Sequence, residues 1–232
     1  MQSAAKQAIH PSESAPLFGN MSPAVSSSLQ QVALTTSYPA GAILFAEGET
    51  PRGVYMVRRG RVKLSVCARD GRTLILRLAG PGEALGVSST VSARDYEVTA
   101  ETQEFSEVTF IRRTDLLSAM RSHGELALWV TQQLSFDYNS TCREIRNLML
   151  SGSASEKLAR LLIGWIDPNA SPQAPCKMKL GLTHEEMAQM IGTSRETVTR
   201  LMAGFKKQHL IEQAGATLVI PNRMALESLI SQ

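Results

Sequence analysis

The chain has 232 residues, 43% of them hydrophobic and 19% charged, with a formal net charge of +3. This is the composition of a soluble globular protein with one large or two small domains, and its slight positive excess permits a nucleic-acid partner without establishing one. Cys67, Cys142 and Cys176 form no CxxC pair and suggest no disulfide framework, which fits a reducing cytoplasm, and no apolar run approaches the length of a membrane span.

The first residues, "MQSAAKQAIHPSESAPLFGNMSP", lack the apolar core of a signal peptide. Rich in Ser, Ala and Pro, residues 1–16 read as a mobile tail. From Tyr38 to about Arg112, short apolar runs alternate with glycine turns: "AILF" then "EGE", "GVYMV" then "RRG", "RVKLSV" then "ARDGR", "TLILRL" then "AGPGE". "RVKLSV" and "TLILRL" flank Asp70-Gly71, a strong hairpin signal. "EVTAET" and "EVTFIRR" continue the pattern, and many short strands at regular spacing point to an antiparallel barrel or jelly roll.

From Thr114 glycine nearly vanishes, and Leu116 to Leu150 reads as helix. Ala127, Thr131, Leu134, Tyr138, Thr141, Ile145 and Leu148 recur at alternating steps of four and three, a heptad seam through which two such helices could pair. Packing on the chain's own strands is the plainer reading, and Leu126, Trp129, Val130 and Phe136 offer a second apolar side for it. A helix with two apolar sides serves both contacts. "SGSAS" (151–155) is small, polar and flexible and reads as a domain boundary before the helix "EKLARLLIGWI". "DPNASPQAPCK" (167–177) reads as a loop with three prolines.

In "LTHEEMAQMIG", Thr183 and Glu186 make a capping box, and Met187, Met190 and Ile191 turn one helix face inward. Gly192 supplies a sharp turn. A second helix follows in "TSRETVTRLM", with Thr193 as cap and Glu196 in the reciprocal position. Its apolar residues are Val198, Leu201, Met202 and Phe205. At 100° per residue, Glu196, Thr199, Arg200 and Ala203 project from the opposite side, with Arg195 in the first turn. Two short helices joined at a glycine form a helix-turn-helix, which presents the start of its second helix to base edges. Arginine matches guanine O6 and N7, a carboxylate accepts from cytosine N4, and Lys206 and Lys207 could meet phosphates. The competing reading is a surface helix on which Glu196 only caps and pairs with Arg200. "HLIEQAGATLVIP" then reads as strand, turn and strand, a wing, and "NRMALESLI" as a closing helix.

Residues 182–220 resemble the winged helix-turn-helix of the Crp/Fnr family of bacterial transcription regulators, whose recognition helix is close to "GTSRETVTRLM". "YPAGAILFAEGE", "GVYMVRRGRVKL" and "DGRTLILRLAGPGE" resemble its cyclic-nucleotide-binding β-roll. The likeness runs from about Leu17 to Leu229. It implies an α+β protein: a tail (1–16), a jelly-roll sensor (17–122), a long dimerisation helix (123–150) and a winged helix-turn-helix (151–232). It further implies a non-enzymatic, cytoplasmic homodimer on double-stranded DNA. RNA polymerase would be a second partner, met where the family often touches it, in the loop Asp167 to Lys177. Arg195, Glu196 and Arg200 fall on the base-reading positions of the branch that recognises TGTGA-type half-sites. Thr183, Ser194 and Thr197 fall on phosphate contacts, and Leu134, Tyr138, Thr141, Ile145 and Leu148 on the dimer seam. Fnr-type readers carry Glu and Ser ahead of the arginine, an arrangement that "TSRET" lacks.

The family's cyclic-AMP pocket uses a glutamate for the ribose and an Arg-Ser pair for the phosphate. Here Val87 stands at the glutamate, Arg94 at the arginine and Asp95 at the serine, and the segment between is shorter. A valine accepts no hydroxyl. A carboxylate beside the phosphate repels it and tends to pair with Arg94. Thr141 matches an adenine-contacting threonine, and Cys142 replaces a serine. The chemistry argues against ordinary cyclic AMP and leaves an unidentified effector or none. An iron–sulfur cluster needs four cysteines, and the histidines His10, His123, His184 and His209 all lie outside the roll, so neither cluster nor haem fits. Cys142 would be a buried, inert small hydrophobe or a redox switch. The alternative to a DNA regulator is a signalling module whose C-terminal hairpin docks a protein. No nucleophile–His–acid arrangement, P-loop or metal-ligand spacing supports an enzyme.

Overall fold

The computed structural model describes residues 21–150, 152–166, 175–215 and 217–230, without the side chains of residues 143, 144 and 147–150. The expected tail and residues 167–174 of the proline-containing loop lie outside them. The chain forms two compact units that part between Arg143 and Glu144, inside the long helix and ahead of the expected boundary at 151–155.

The first unit begins with α1 (Pro23–Val32), where proline sits at the helix start and Val25 and Leu29, four residues apart, are buried together. Eight strands follow: β1 (Leu34–Tyr38), β2 (Ile43–Phe45), β3 (Gly53–Arg59), β4 (Val62–Cys67), β5 (Thr73–Ala79), β6 (Ala84–Leu85) and, after the short helix α2 (Val87–Ser92), β7 (Thr99–Thr102) and β8 (Ser106–Arg112). They form two antiparallel four-stranded sheets, β1-β8-β3-β6 and β2-β7-β4-β5, the expected jelly roll. The β4–β5 hairpin closes where Asp-Gly predicts it, with Gly71 at φ 83° and its N–H donating to the Ala68 carbonyl at 2.9 Å.

Strand β3 explains why "GVYMV" is apolar throughout. Val54 and Met56 join a core with Val25, Leu29, Val87, Ile111, Leu116, Leu126 and Val130. Tyr55 and Val57 face the other way, into the core between the sheets with Phe45, Val62, Leu85, Tyr96 and Val108. A strand covered on both faces has no polar side to show.

The helix expected from Leu116 to Leu150 is two helices, α3 (Arg113–Ser122) and α4 (Gly124–Leu150). His123 between them is extended, at φ −133° and ψ 100°. On α4, Leu126 and Val130 are buried in the roll's core, Leu134 packs against it, and Asp137 is half-buried. These positions follow steps of four, four and three, so they share one face. Leu134, expected on the dimer seam, therefore packs on its own roll, whereas Phe136, expected on the roll side, is 45% exposed. Tyr138, Thr141, Cys142 and Ile145 are exposed, and the side chain of Leu148 lies outside the described residues.

The second unit contains α5 (Ala154–Gly164), β9 (Cys176–Lys179), α6 (His184–Ile191), α7 (Arg195–Lys207), β10 (Glu212–Ala214), β11 (Thr217–Ile220) and α8 (Arg223–Glu227). The wing has a third strand that the sequence reading left in the loop: β9 pairs with β11, giving the order β10-β11-β9. Helix α5 packs against α6, α7 and α8 and buries Leu158 and Leu162.

Candidate nucleic-acid interface

Helix α6 starts with the expected capping box. Thr183 Oγ1 accepts the Glu186 N–H, and the Glu186 carboxylate accepts the Thr183 N–H at 2.9 Å. Met187 and Ile191 are buried, and Met190 is half-buried. Gly192 ends the helix in the left-handed region at φ 65°, which only glycine adopts freely and which allows the next helix to begin three residues later, at Arg195.

The cap of α7 is Ser194, not Thr193. Ser194 Oγ accepts the Thr197 N–H at 3.2 Å, so Glu196 is the second helical residue and has no reciprocal capping role. Instead its own backbone N–H and the Ser194 hydroxyl hold its carboxyl below the usual value, and Arg195 assists. The guanidinium that acts on Glu196 is that of Arg195; Arg200 does not pair with it. That removes the salt bridge on which the surface-helix reading depended. Val198, Met202 and Phe205 are buried, Leu201 is half-buried, and Arg195, Glu196, Thr199, Arg200 and Ala203 are exposed on the other side. Thr183, Ser194 and Lys206 are exposed, and Thr197 is half-buried.

One polar link on this surface was not foreseen. His184, the first residue of α6, places Nδ1 2.9 Å from Thr199 Oγ1 on α7. A histidine after a capping threonine carries no signal in sequence, because the partner lies on another helix.

Of the residues aligned with the cyclic-nucleotide pocket, Val87, Arg94 and Asp95 lie in the roll. Val87 is 1% exposed and belongs to the hydrophobic core. Arg94 and Asp95 are exposed and unpaired with each other; Asp95 Oδ1 accepts from Thr50 Oγ1 at 3.4 Å. Cys142, expected to be buried, is exposed beside Thr141. Sequence reading missed Glu97. Its two carboxylate oxygens accept from Ser88 Oγ at 2.9 Å and Ser89 Oγ at 2.6 Å. No helix among the described residues is long and apolar enough to cross a membrane.

Residues 35–123 match the family model of a cyclic nucleotide-binding domain, and residues 156–229 that of a Crp-like helix-turn-helix domain. The chain is 30% identical over 187 residues to the "cAMP-activated global transcriptional regulator CRP" of Haemophilus influenzae, covering 79% of this chain and 82% of that protein. It is 25% identical over 207 residues to the "CRP-like cAMP-activated global transcriptional regulator" of Mycobacterium tuberculosis, covering 88% and 91%. Among solved structures, FixK2 from Bradyrhizobium japonicum is similar with a TM-score of 0.74 at 24% identity, over 85% of this chain and 97% of that one. The last likeness concerns the fold, whereas the two domain matches and the Haemophilus relative together decide membership. The chain belongs to the Crp/Fnr family of transcription regulators.

Proposed function

We propose that this regulator acts as a homodimer that reads TGTGA-type palindromic half-sites with Arg195, Glu196 and Arg200. The observation that carries the reading is the free outer face of α7: the three side chains are exposed directly after the Gly192 turn, and Glu196 and Arg200 are not spent on each other. Thr183, Ser194, Thr197 and Lys206 surround them as phosphate contacts. Tyr138, Thr141 and Ile145, exposed on α4, form the dimer seam with Leu148. The chain divides its work among the roll (17–122), the long helix (123–150) and the winged helix-turn-helix (151–232), and RNA polymerase is its second partner.

The sensor does not take cyclic AMP in the usual way. The curated relatives are named as cAMP-activated, but this chain replaces the needed chemistry. Val87 is core, Asp95 is a carboxylate, and Glu97 already occupies the hydroxyls of Ser88 and Ser89. Two carboxylates near a cyclic phosphate repel it. The effector is therefore another molecule or none. A gel shift on TGTGA-N6-TCACA duplex, with and without cyclic AMP, tests both parts. The expected result is specific binding that added cyclic AMP does not change. Equal binding to random duplex would defeat the half-site assignment.

A further inference from the structure

The chemistry of His184 goes beyond this reading of α7 as a DNA-facing helix, and rests on it. The Thr199 hydroxyl has a single proton, which it donates to the Arg195 carbonyl at 2.9 Å. The proton between Thr199 and His184 must then come from Nδ1. This fixes the neutral ring with a bare Nε2, which has no partner among the described residues. A proton added at Nε2 creates a cationic donor and leaves the Nδ1–Thr199 bond intact, so the ring can change charge without moving.

Partial burial is the largest cause holding this imidazole below its usual 6.5, followed by the positive charges of Lys206 and Arg195, both on α7. On its own helix, Glu186 is engaged with Thr183, and Glu185 accepts from Gln189 at 3.4 Å. Helix α5, also packed on α6, brings Glu156, Lys157 and Arg160, and Glu156 is engaged with the Gly152 N–H at 3.1 Å. Lys206 and Arg195, which add to the effect of burial on the ring, are exposed cations of helix α7. Phosphates that neutralise them lift the repulsion and add an attraction of their own.

We propose that His184 is a proton-coupled DNA contact, whose ring takes up a proton at Nε2 more readily when a backbone phosphate lies against it than in the free protein. The bound form then holds more protons than the free form between the two pKa values. Affinity rises as pH falls through that window and is flat below the free pKa and above the bound one. The change approaches about tenfold per pH unit for each protomer engaged.

The test is a fluorescence-anisotropy titration at constant ionic strength from about pH 5.5 to 8. It uses the palindrome and a random duplex of equal length, with the wild-type chain, His184→Gln, His184→Arg and, as control, His209→Asn. Wild type and His209→Asn should bind more tightly as pH falls. His184→Gln should lose most of that slope, and His184→Arg should bind tightly with little slope. Melting curves confirm that each variant is folded. Calorimetry of wild type in two buffers of different ionisation enthalpy should show proton uptake on binding. A His184→Gln slope equal to wild type, or a His184→Arg variant no tighter than His184→Gln at pH 8, overturns the proposal. Equal binding to both duplexes overturns the half-site reading alone, since a phosphate contact is read on either DNA. A chain that binds neither at any pH overturns both.

Discussion

Arg77 on β5 reaches Asp137 on α4, Nη2 to Oδ1 at 3.1 Å, while its other terminal nitrogen holds Glu83. One guanidinium thus ties a strand, the turn before β6 and the long helix together. Burial raises the Asp137 carboxyl above its usual value; Arg77 opposes the shift, and Glu83 and Glu97 add to it. A carboxyl raised in the folded state stabilises the fold at low pH, and that contribution is lost as pH rises through the folded pKa. Arg77→Ala removes the opposing cation and leaves Glu83 and Asp137 as neighbouring charges, so the raised window should widen. The variant should lose about 1–3 kcal/mol at pH 7 and less near pH 4.5. Thermal melts at both pH values check this, and Asp137→Asn in the Arg77→Ala background should recover part of the loss at pH 7. A penalty independent of pH would mean that Arg77 acts through packing alone.

The roll was legible where burial is periodic or continuous, as in β3 and the β4–β5 hairpin. It was not legible where a distant partner decides. Strand β1, "LTTSY", is largely exposed and gains its place by pairing with β8, including a 2.8 Å hydroxyl bond between Thr35 and Thr109. Helix α2, "VSSTVS", has poor helix formers throughout and is held by side chains it meets only after folding, such as Thr90 Oγ1 on the Gly53 carbonyl at 2.8 Å. In the DNA-binding unit both helices and the turn could be read from caps and spacing. The cap itself slipped by one residue because Thr193 and Ser194 are both capable acceptors, and only the backbone decides between them.

Dimerisation should depend on the free face of α4. Tyr138 is 71% exposed and Ile145 55% exposed, far more than a structural helix needs. Replacing both with Asp should yield monomers in sedimentation velocity, with the roll still folded because neither side chain joins its core. Leu134→Asp is the wrong probe, since Leu134 packs on the roll and its loss damages the monomer. A double variant that stays dimeric moves the interface elsewhere.

Cyclic AMP should bind weakly or not at all by calorimetry, and Glu97→Ala should not by itself create a tight site, because Val87 still supplies no acceptor for the ribose. Micromolar binding abolished by Arg94→Ala would show that the pocket forms despite Asp95 and Glu97.

On α7 the capping role that the sequence reading gave to Thr193, with Glu196 as its reciprocal partner, belongs to Ser194. If Arg195 pairs with guanine, Arg195→Ala should cost about 1–3 kcal/mol per half-site and relax discrimination at one base. The loss should roughly double on a full palindrome if the sites act independently. Glu196→Ala should alter discrimination at its own base and leave the melting temperature nearly unchanged, because the cap belongs to Ser194. Ser194→Ala should lower stability by about 1 kcal/mol, the usual loss for a capping side chain, and weaken binding to all sequences alike. Lys206→Ala, if the ammonium meets a phosphate, should also weaken all sequences and reduce the slope of log affinity against log salt by about one for each phosphate released. Each variant is titrated against the palindrome, single-base variants and random duplex at several salt concentrations. If Arg195→Ala weakens every duplex equally, Arg195 meets phosphate and the base assignment fails. If Glu196→Ala melts as early as Ser194→Ala while its base preference is unchanged, Glu196 serves the helix and not the DNA.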